Sequence, residues 1–365
     1  MRLLVFADLH LDTAFTWARP QTARNRRQAL RDTLDRILAL ADEVSADAIL
    51  CGGDLNEHDR FTPDTREFLV AKLGETDRRI LIAPGNHDWY GPRSLYAQVE
   101  WPGNVHVFTD DRLQPVELAS GLRLWGAAFL GPARPRGFLE DGFTVHGGLN
   151  LALFHGSERS GLALEAGEKS DHAPFDAGEI ERAGLRHAFV GHYHSPKDGE
   201  LHTYPGNPDP LTFGETGERG AVVVDVEASG ELRRQRRIVA VSQVHDREVD
   251  VTGCAGFHDV RERAVEALRG LHGTARLTVS GEVAPEIDLD LAALATVPHA
   301  LDEVAVRARG IRAGYDLERI AREHTVRGQF VRDVQAAAGL AEDQRTRVLL
   351  TGLRALDGRD DLEVA

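Results

Sequence analysis

One pattern constrains this chain more than any other. A short apolar run, ending in a glycine or a sharp break, delivers a residue type that binds metals, and this happens five times. LLVFAD (3–8) closes on Asp8 and continues to His10, AILCGGD (48–54) closes on Asp54, and RILIAPGNH (79–87) closes on Asn86 and His87. LNLALFHG (149–156) delivers His155, and HAFVGHYH (187–194) delivers His192 and His194. Apolar runs of this length, bounded by turn residues, read as buried strands. Residues 21–45 place Ala29, Leu30, Leu34, Ile37, Leu38 and Ala41 at helical spacing, and 64–74 form a second helical stretch. The resulting βαβαβ rhythm predicts a parallel or mixed sheet with helices outside it. LRLWGAAFL (122–130), LHTYPG (201–206) and AVVVDVE (221–227) extend the strand set. In open α/β sheets, ligands sit beyond the carboxyl ends of strands, where these polar residues fall.

Each motif alone fits an ordinary loop. Asp8-Leu9-His10 puts two donors on one side of extended backbone, because side chains alternate with period two. Gly52-Gly53-Asp54 is common turn chemistry that also lets a carboxylate approach an ion closely. Gly85-Asn86-His87-Asp88 is more specific, since it pairs a neutral oxygen donor with a histidine backed by an acid, an arrangement suited to proton transfer. Gly191-His192-Tyr193-His194 and His155-Gly156 add three imidazoles. Jointly, order and strand-end placement select a metal site. Of the eleven other histidines, all but His58, and so ten with His172 among them, carry no motif and read as structural.

The series DLH, GGDLNEHD, GNHD, HG and GHYH resembles the calcineurin-like metallophosphoesterases over residues 1–225. The resemblance implies an α/β fold of two mixed β-sheets sandwiched between helices. It implies two divalent ions, Mn before Fe or Zn. Asp8, His10, Asp54 and His194 would hold one, and Asp54, Asn86, His155 and His192 the other. His87 would be the catalytic histidine that is not a ligand, with Asp88 keeping its ring oriented. PGNPDPLTFGETGERG (205–220) and TVRGQFVRDV (325–334) resemble segments of SbcD-type and YhaO-like DNA repair nucleases. That branch implies DNA as substrate, an SMC-like ATPase of the SbcC type as partner, and a homodimer. The chain departs from the SbcD pattern after Asp54: Asn56 stands where an apolar residue is usual, Glu57 keeps the acid, and His58 comes one position later. His58 is a candidate substrate contact.

Bulk composition limits the alternatives. The 365 residues suffice for two domains, and a net charge of −15 is unusual for a nucleic-acid binder, which needs cations for phosphates. A local basic cluster, Arg19, Arg24, Arg26, Arg27 and Arg31, follows the DLH loop, and Arg24, Arg26 and Arg27 are candidate substrate contacts. No apolar run reaches the roughly eighteen residues of a membrane span. The opening MRLLVFADLH is too short in its apolar part for a signal peptide, and two cysteines, Cys51 and Cys254, point to a reducing cytoplasm. After residue 242 the ligand motifs stop. REVDVTG (247–253) and ARLTVSG (275–281) read as strands, and 256–270 and 316–340 as helices. These predict a catalytic domain at 1–242, a smaller α/β accessory domain at 243–350, and a tail at 351–365. A DNA exonuclease or endonuclease is the leading function, with a phosphodiesterase or phosphatase of small molecules such as cyclic nucleotides as the alternative. A protein phosphatase fits less well, since Asp59-Arg60 and GNHD differ from that group's motifs. A non-catalytic scaffold would be expected to lack ligands that are present here.

Overall fold

Strand β1 (Arg2–Phe6) shows how the first unit builds two cores at once. Successive side chains point to opposite faces of a strand. Leu3 and Val5 therefore pack one way, against Leu124, Leu151, Leu153 and Phe189 of a second sheet. Leu4 and Phe6 pack the other way, against Leu30, Leu34, Ile37 and Ala41 of helix α1 (Pro20–Glu43). A strand buried on both faces must be apolar throughout, which is why these runs do not alternate. Each fully buried Leu or Phe contributes roughly 1.5–3 kcal/mol by leaving water.

The computed structural model describes residues 1–140, 142–159 and 172–359. The chain divides into two units, Met1–Gln243 and Val244–Ala365. In the first, one six-stranded sheet has the order β12-β11-β1-β2-β3-β4. Its members are β1, β2 (Ala48–Cys51), β3 (Arg79–Ile82), β4 (Val105–Val107), β11 (Gly220–Val226) and β12 (Leu232–Ile238). β1 to β4 run parallel, while β11 and β12 are antiparallel additions. The other sheet has the order β5-β6-β7-β8-β10-β9. It comprises β5 (Gln114–Ala119), β6 (Leu122–Gly126), β7 (Leu149–His155), β8 (His187–Gly191), β9 (Lys197–Asp198) and β10 (His202–Tyr204). β6, β7, β8 and β10 are parallel. Helices α1, α2 (Pro63–Gly74) and α3 (Leu95–Gln98) accompany the first sheet and α4 (Ala177–Arg182) the second. The two mixed sheets face each other with helices outside, as the sequence implies. Among the described residues, no helix is long and apolar enough to cross a membrane.

The second unit is a parallel sheet of β13 (Val244–Asp250), β14 (Thr274–Val283) and β15 (Glu303–Ala313). Helices α5 (Phe257–Leu268) and α6 (Leu291–Leu294) link them, and Val260, Ala264 and Leu268 of α5 cover the sheet. Helices α7 (Leu317–Ala321), α8 (Val326–Ala336) and α9 (Glu342–Asp357) follow. The helix expected over 316–340 is thus two, broken before Thr325, whose hydroxyl accepts from Gly328 N at 3.1 Å and starts a new N-terminus. The tail expected from 351 also needs correction. α9 continues to Asp357 because Leu349 and Leu353 bury against Ile320, Val331 and Val334. Residues 360–365 of that tail lie outside the described residues.

Candidate metal centre

The loops after β1 and β2 do not separate where the strands end. Asp8 N donates to Gly53 O (2.9 Å), His10 N to Asp54 O (2.9 Å) and Leu11 N to Leu55 O (3.0 Å), so the two loops stay zipped together. This holds Asp8 and His10 beside Asp54. The backbone is strained here: Asp8, His10, Asp54 and His192 all adopt positive φ, at 57°, 51°, 51° and 106°. Non-glycine residues take this conformation only where surrounding contacts over-determine it, and such positions cluster at functional sites. Gly85 meets a different demand. A Cβ there would collide with Asp54 Oδ1 and His155 Nδ1, so only glycine lets the third loop close in.

Asp54 sits at the centre. Its Oδ1 accepts from His87 N at 2.8 Å. Its Oδ2 lies 3.6 Å from His10 Nε2 and 3.3 Å from His155 Nε2. Asn86 Oδ1 is 3.0 Å from the same His155 nitrogen. His10 packs at 5.1 Å from His194, and His155 at 5.2 Å from His192, centroid to centroid. Asp8 accepts from His192 N at 3.0 Å. All seven expected ligands therefore converge around one buried carboxylate. Donor atoms of Asp8, His10 and His194 fall within 4.8 Å of one another, as do those of Asp8, Asp54 and His155.

The residues present fit a cation. His155 Nδ1 lies 2.9 Å from Gly52 O, His10 Nδ1 lies 2.8 Å from Glu57 Oε1, and His194 Nδ1 lies 2.7 Å from Glu215 Oε1. Each outer partner accepts from Nδ1–H and so leaves Nε2 to point inward, the usual way proteins orient ligating imidazoles. His10 Nε2 is buried with no hydrogen-bond partner, which suits a bound ion. Electrostatics agree. Burial disfavours charge on His10 and His155, yet the Glu57 hydrogen bond and the Asp54 charge lift His10 to about 9, and the Asp54 charge lifts His155 to about 9. Burial alone would raise the Asp54 carboxyl, but the charge and hydrogen bond of His155, with His10 and His87, hold it well below the ordinary range. These groups favour positive charge at their centre.

Several expectations change. Asp88 does not hold His87. It is buried and accepts from Asp54 N, Leu55 N, Gly85 N and the Tyr96 hydroxyl, bracing the loop that carries Asp54. Burial and the Asp54 charge raise it to about 6. Consecutive side chains diverge here, with His87 48% exposed and Asp88 turned inward. Glu57 holds His87 instead, with Oε2 3.0 Å from His87 Nδ1 while Oε1 receives His10. Burial would raise Glu57, but these two hydrogen bonds bring it to about 2. Glu57 was legible as the acid three residues after Asp54. Glu215, pulled to about 2 by His194 against burial, sits within the 205–220 segment already singled out. His172, read as structural, packs 5.4 Å from His192.

The candidate substrate contacts fare unevenly. His58 stacks on Trp89 at 3.7 Å, and its backbone N donates to His87 O at 2.7 Å, which places it beside the histidine expected to be catalytic. Arg26 is not a surface residue. It lies on the buried face of α1, four residues before Leu30, and pairs with buried Asp209 at 3.4 Å. Arg27 reaches Ala14 O at 3.4 Å, and Arg24, exposed, bonds Gln21 Oε1 at 2.6 Å.

Two facing mixed sheets with this histidine and carboxylate cluster at their strand ends define a metal-dependent phosphoesterase. The chain belongs to the calcineurin-like phosphoesterase family, which matches it over residues 1–196. Family members use divalent metals, and the His/Asp clusters here can bind them. It is 25% identical over 397 residues to the DNA double-strand break repair protein Mre11 of Methanopyrus kandleri, covering 100% of this chain and 80% of that protein. It is 25% identical over 231 residues to the uncharacterized metallophosphoesterase YhaO of Bacillus subtilis, covering 60% of this chain and 56% of that one. Among solved structures it is similar to TT1561 of Thermus thermophilus, at 15% identity and TM-score 0.38 over 64% of this chain and 98% of that one. It is also similar to Yfce, a phosphoesterase from E. coli, at 12% identity and TM-score 0.31 over 65% and 99%.

Proposed function

We propose that this protein is a binuclear, Mn-dependent phosphodiesterase that cleaves DNA, an SbcD-like exonuclease or endonuclease of double-strand break repair. The observation that carries the binuclear reading is Asp54 Oδ2, placed between the inward nitrogens of His10 and His155. Asp8, His10, Asp54 and His194 would hold one ion, and Asp54, Asn86, His155 and His192 the other. When bound, such a pair supplies Lewis acidity and a nucleophile at neutral pH. The chain's own residues do the rest. The Glu57 hydrogen bond raises the basicity of His87 against the effect of burial, which favours a proton on its ring. Its Nδ1 is fixed by Glu57, so Nε2 offers that proton to the leaving oxygen. The DNA reading is supported by the Mre11 similarity, which runs through both units. The proposal extends to an SbcC-type ATPase, a homodimer and a cytoplasmic site of action, the last supported by free thiols at Cys51 and Cys254.

A small-molecule phosphodiesterase is the second reading. It is favoured by the net charge of −15 and by the inward use of Arg26. Turnover of Mn-loaded protein on single- and double-stranded DNA, beside a chromogenic bis-phosphodiester, separates the two. Hydrolysis of the bis-ester without cleavage of either DNA would replace the first reading by the second.

A further inference from the structure

The catalytic edge continues past the last expected ligand. In the first sheet β4 lies beside β3, which delivers Asn86, and in the second β6 lies beside β7, which delivers His155. Both are parallel to those neighbours, so the loops that leave β4 and β6 emerge on the same edge as the metal centre, about 4.8 Å further along per strand. The two loops are tied together, with Ala128 N donating to Asp110 O at 2.8 Å. They are also tied to the site. Phe129 N donates to Pro84 O (3.0 Å) and Phe129 O accepts from Tyr90 N (2.7 Å), at the two ends of the loop carrying Asn86 and His87.

Between these loops lies a cavity of about 720 Å³, lined by Arg112, Arg134 and Arg136 together with Phe138 and Phe143. Each of its described acids faces an arginine, although Arg159 is shared with Asp176 at 2.9 Å. Asp111 pairs with Arg134 at 3.2 Å, and Glu140 faces Arg159 at 3.7 Å. The guanidinium of Arg134 lies over the Phe138 ring, 4.3 Å from its centroid. Arg112 and Arg136 are exposed and have no ion-pair partner among the described residues. Two guanidinium groups over one groove without an acidic partner among the described residues are unexpected on a chain of net charge −15. Guanidinium forks match phosphate oxygens in geometry and in charge. The basic stretch Arg233–Arg237 of β12 offers no equivalent, since Arg233, Arg236 and Arg237 pair with acids and Arg234 bonds Gly199 O and Thr203 Oγ1.

We propose that this groove is a phosphate-backbone subsite, which receives a polynucleotide strand on the Asn86 and His155 side of the metal centre. The assignment rests on the DNA reading above and adds where the strand runs. Arg112 and Arg136 grip backbone phosphates away from the scissile one, while Arg134 and Phe138 form the floor.

The test is the double variant Arg112→Ala/Arg136→Ala in the full chain, with thermal melting to confirm an unchanged fold. Three readouts are needed: fluorescence anisotropy of a labelled single-stranded oligonucleotide across a salt series, hydrolysis of that oligonucleotide, and hydrolysis of a chromogenic bis-phosphodiester. The variant is expected to hydrolyse the small diester at the wild-type rate. For the oligonucleotide, KM rises on the order of tenfold with kcat unchanged, and the slope of log affinity against log salt flattens by about 1.4, the loss of two single-strand phosphate contacts. An oligonucleotide that wild type and variant bind and cleave equally, with equal salt slopes, overturns the subsite and leaves the DNA reading standing. A wild type that turns over the small diester but neither binds nor cleaves the oligonucleotide overturns both.

Discussion

Both units place an aspartate at the carboxyl end of a parallel strand in a βαβ arrangement, and the two aspartates have opposite fates. Asp54 follows β2 in the first unit. It is buried, left-handed in backbone, and within 3.6 Å of two imidazoles. Asp250 ends β13 in the second unit. It is exposed, and its Oδ1 accepts from Thr252 N at 2.9 Å, capping its own turn. Among the described residues, no group of three ligating side chains forms in the second unit. Strand-end topology supplies only the opportunity for a site. The difference lies in convergence. In the first unit, zipped loops, a close glycine approach at Gly85 and four strained residues bring five strand ends to one point. In the second, Asp250 satisfies the backbone of its own turn.

The comparison breaks most visibly at its centre. Asp54→Ala should leave less than one ion per chain in metal analysis of Mn-reconstituted protein, against two for the wild type, and hydrolysis of a bis-phosphodiester should fall below detection. A variant that still carries two ions would remove Asp54 from the bridging position. His87→Ala should do the reverse, because its half-exposed ring contributes a proton and no metal bond. Both ions should stay, and turnover should drop by roughly 10²–10⁴-fold. Wild-type rates in that variant would end the proton-donor assignment.

Glu57→Gln sharpens the contrast between the two kinds of histidine. One carboxylate holds His10, an expected ligand, and His87, the expected acid. Outer-partner substitutions at metal sites typically cost 10–100-fold in affinity or activity. A loss of about 10–100-fold is therefore expected in Mn affinity and in turnover together. If turnover fell while Mn affinity held, Glu57 would serve His87 alone.

Much of this site was legible because each ligand ends an apolar run, and runs are local. Each of the seven expected ligands closes one strand and its loop, whereas the two facing sheets and the role expected of His87 came from the family resemblance. What failed was not local. Asp88 next to His87 looks like its partner in sequence, but adjacent side chains diverge, and the true partner, Glu57, comes from another loop. Arg26 sits in a basic cluster, yet the period of α1 turns it onto the buried face with Ala29, Leu30 and Thr33, where Asp209 from a distant segment receives it. β15 was missed because EVAVRARGIRA buries few residues, Val304 and Ile311 among them, and its arginines mask the strand pattern. The end of the ordered accessory unit was set too early, at 350, because the burial of α9 rests on Leu349 and Leu353 within an otherwise charged stretch.

The smallest expected effect is the control that makes the comparison complete. Asp250→Ala removes a carboxylate from the end of a parallel strand, as Asp54→Ala does, but from an edge where nothing converges. Thr252 N loses one acceptor, and water can replace it because the position is exposed. Gly281, which follows a register shift in β14, leaves room for this carboxylate, since a Cβ at 281 would collide with Asp250 Oδ1. Shortening the side chain at 250 therefore vacates a small space at an open edge, where solvent fills it. Metal content should stay at two ions per chain, both substrates should turn over at wild-type rates, and the melting temperature should move by no more than a few degrees. Loss of an ion in this variant would mean that the second unit contributes to metal binding, and would put the difference between the two aspartates somewhere other than in convergence.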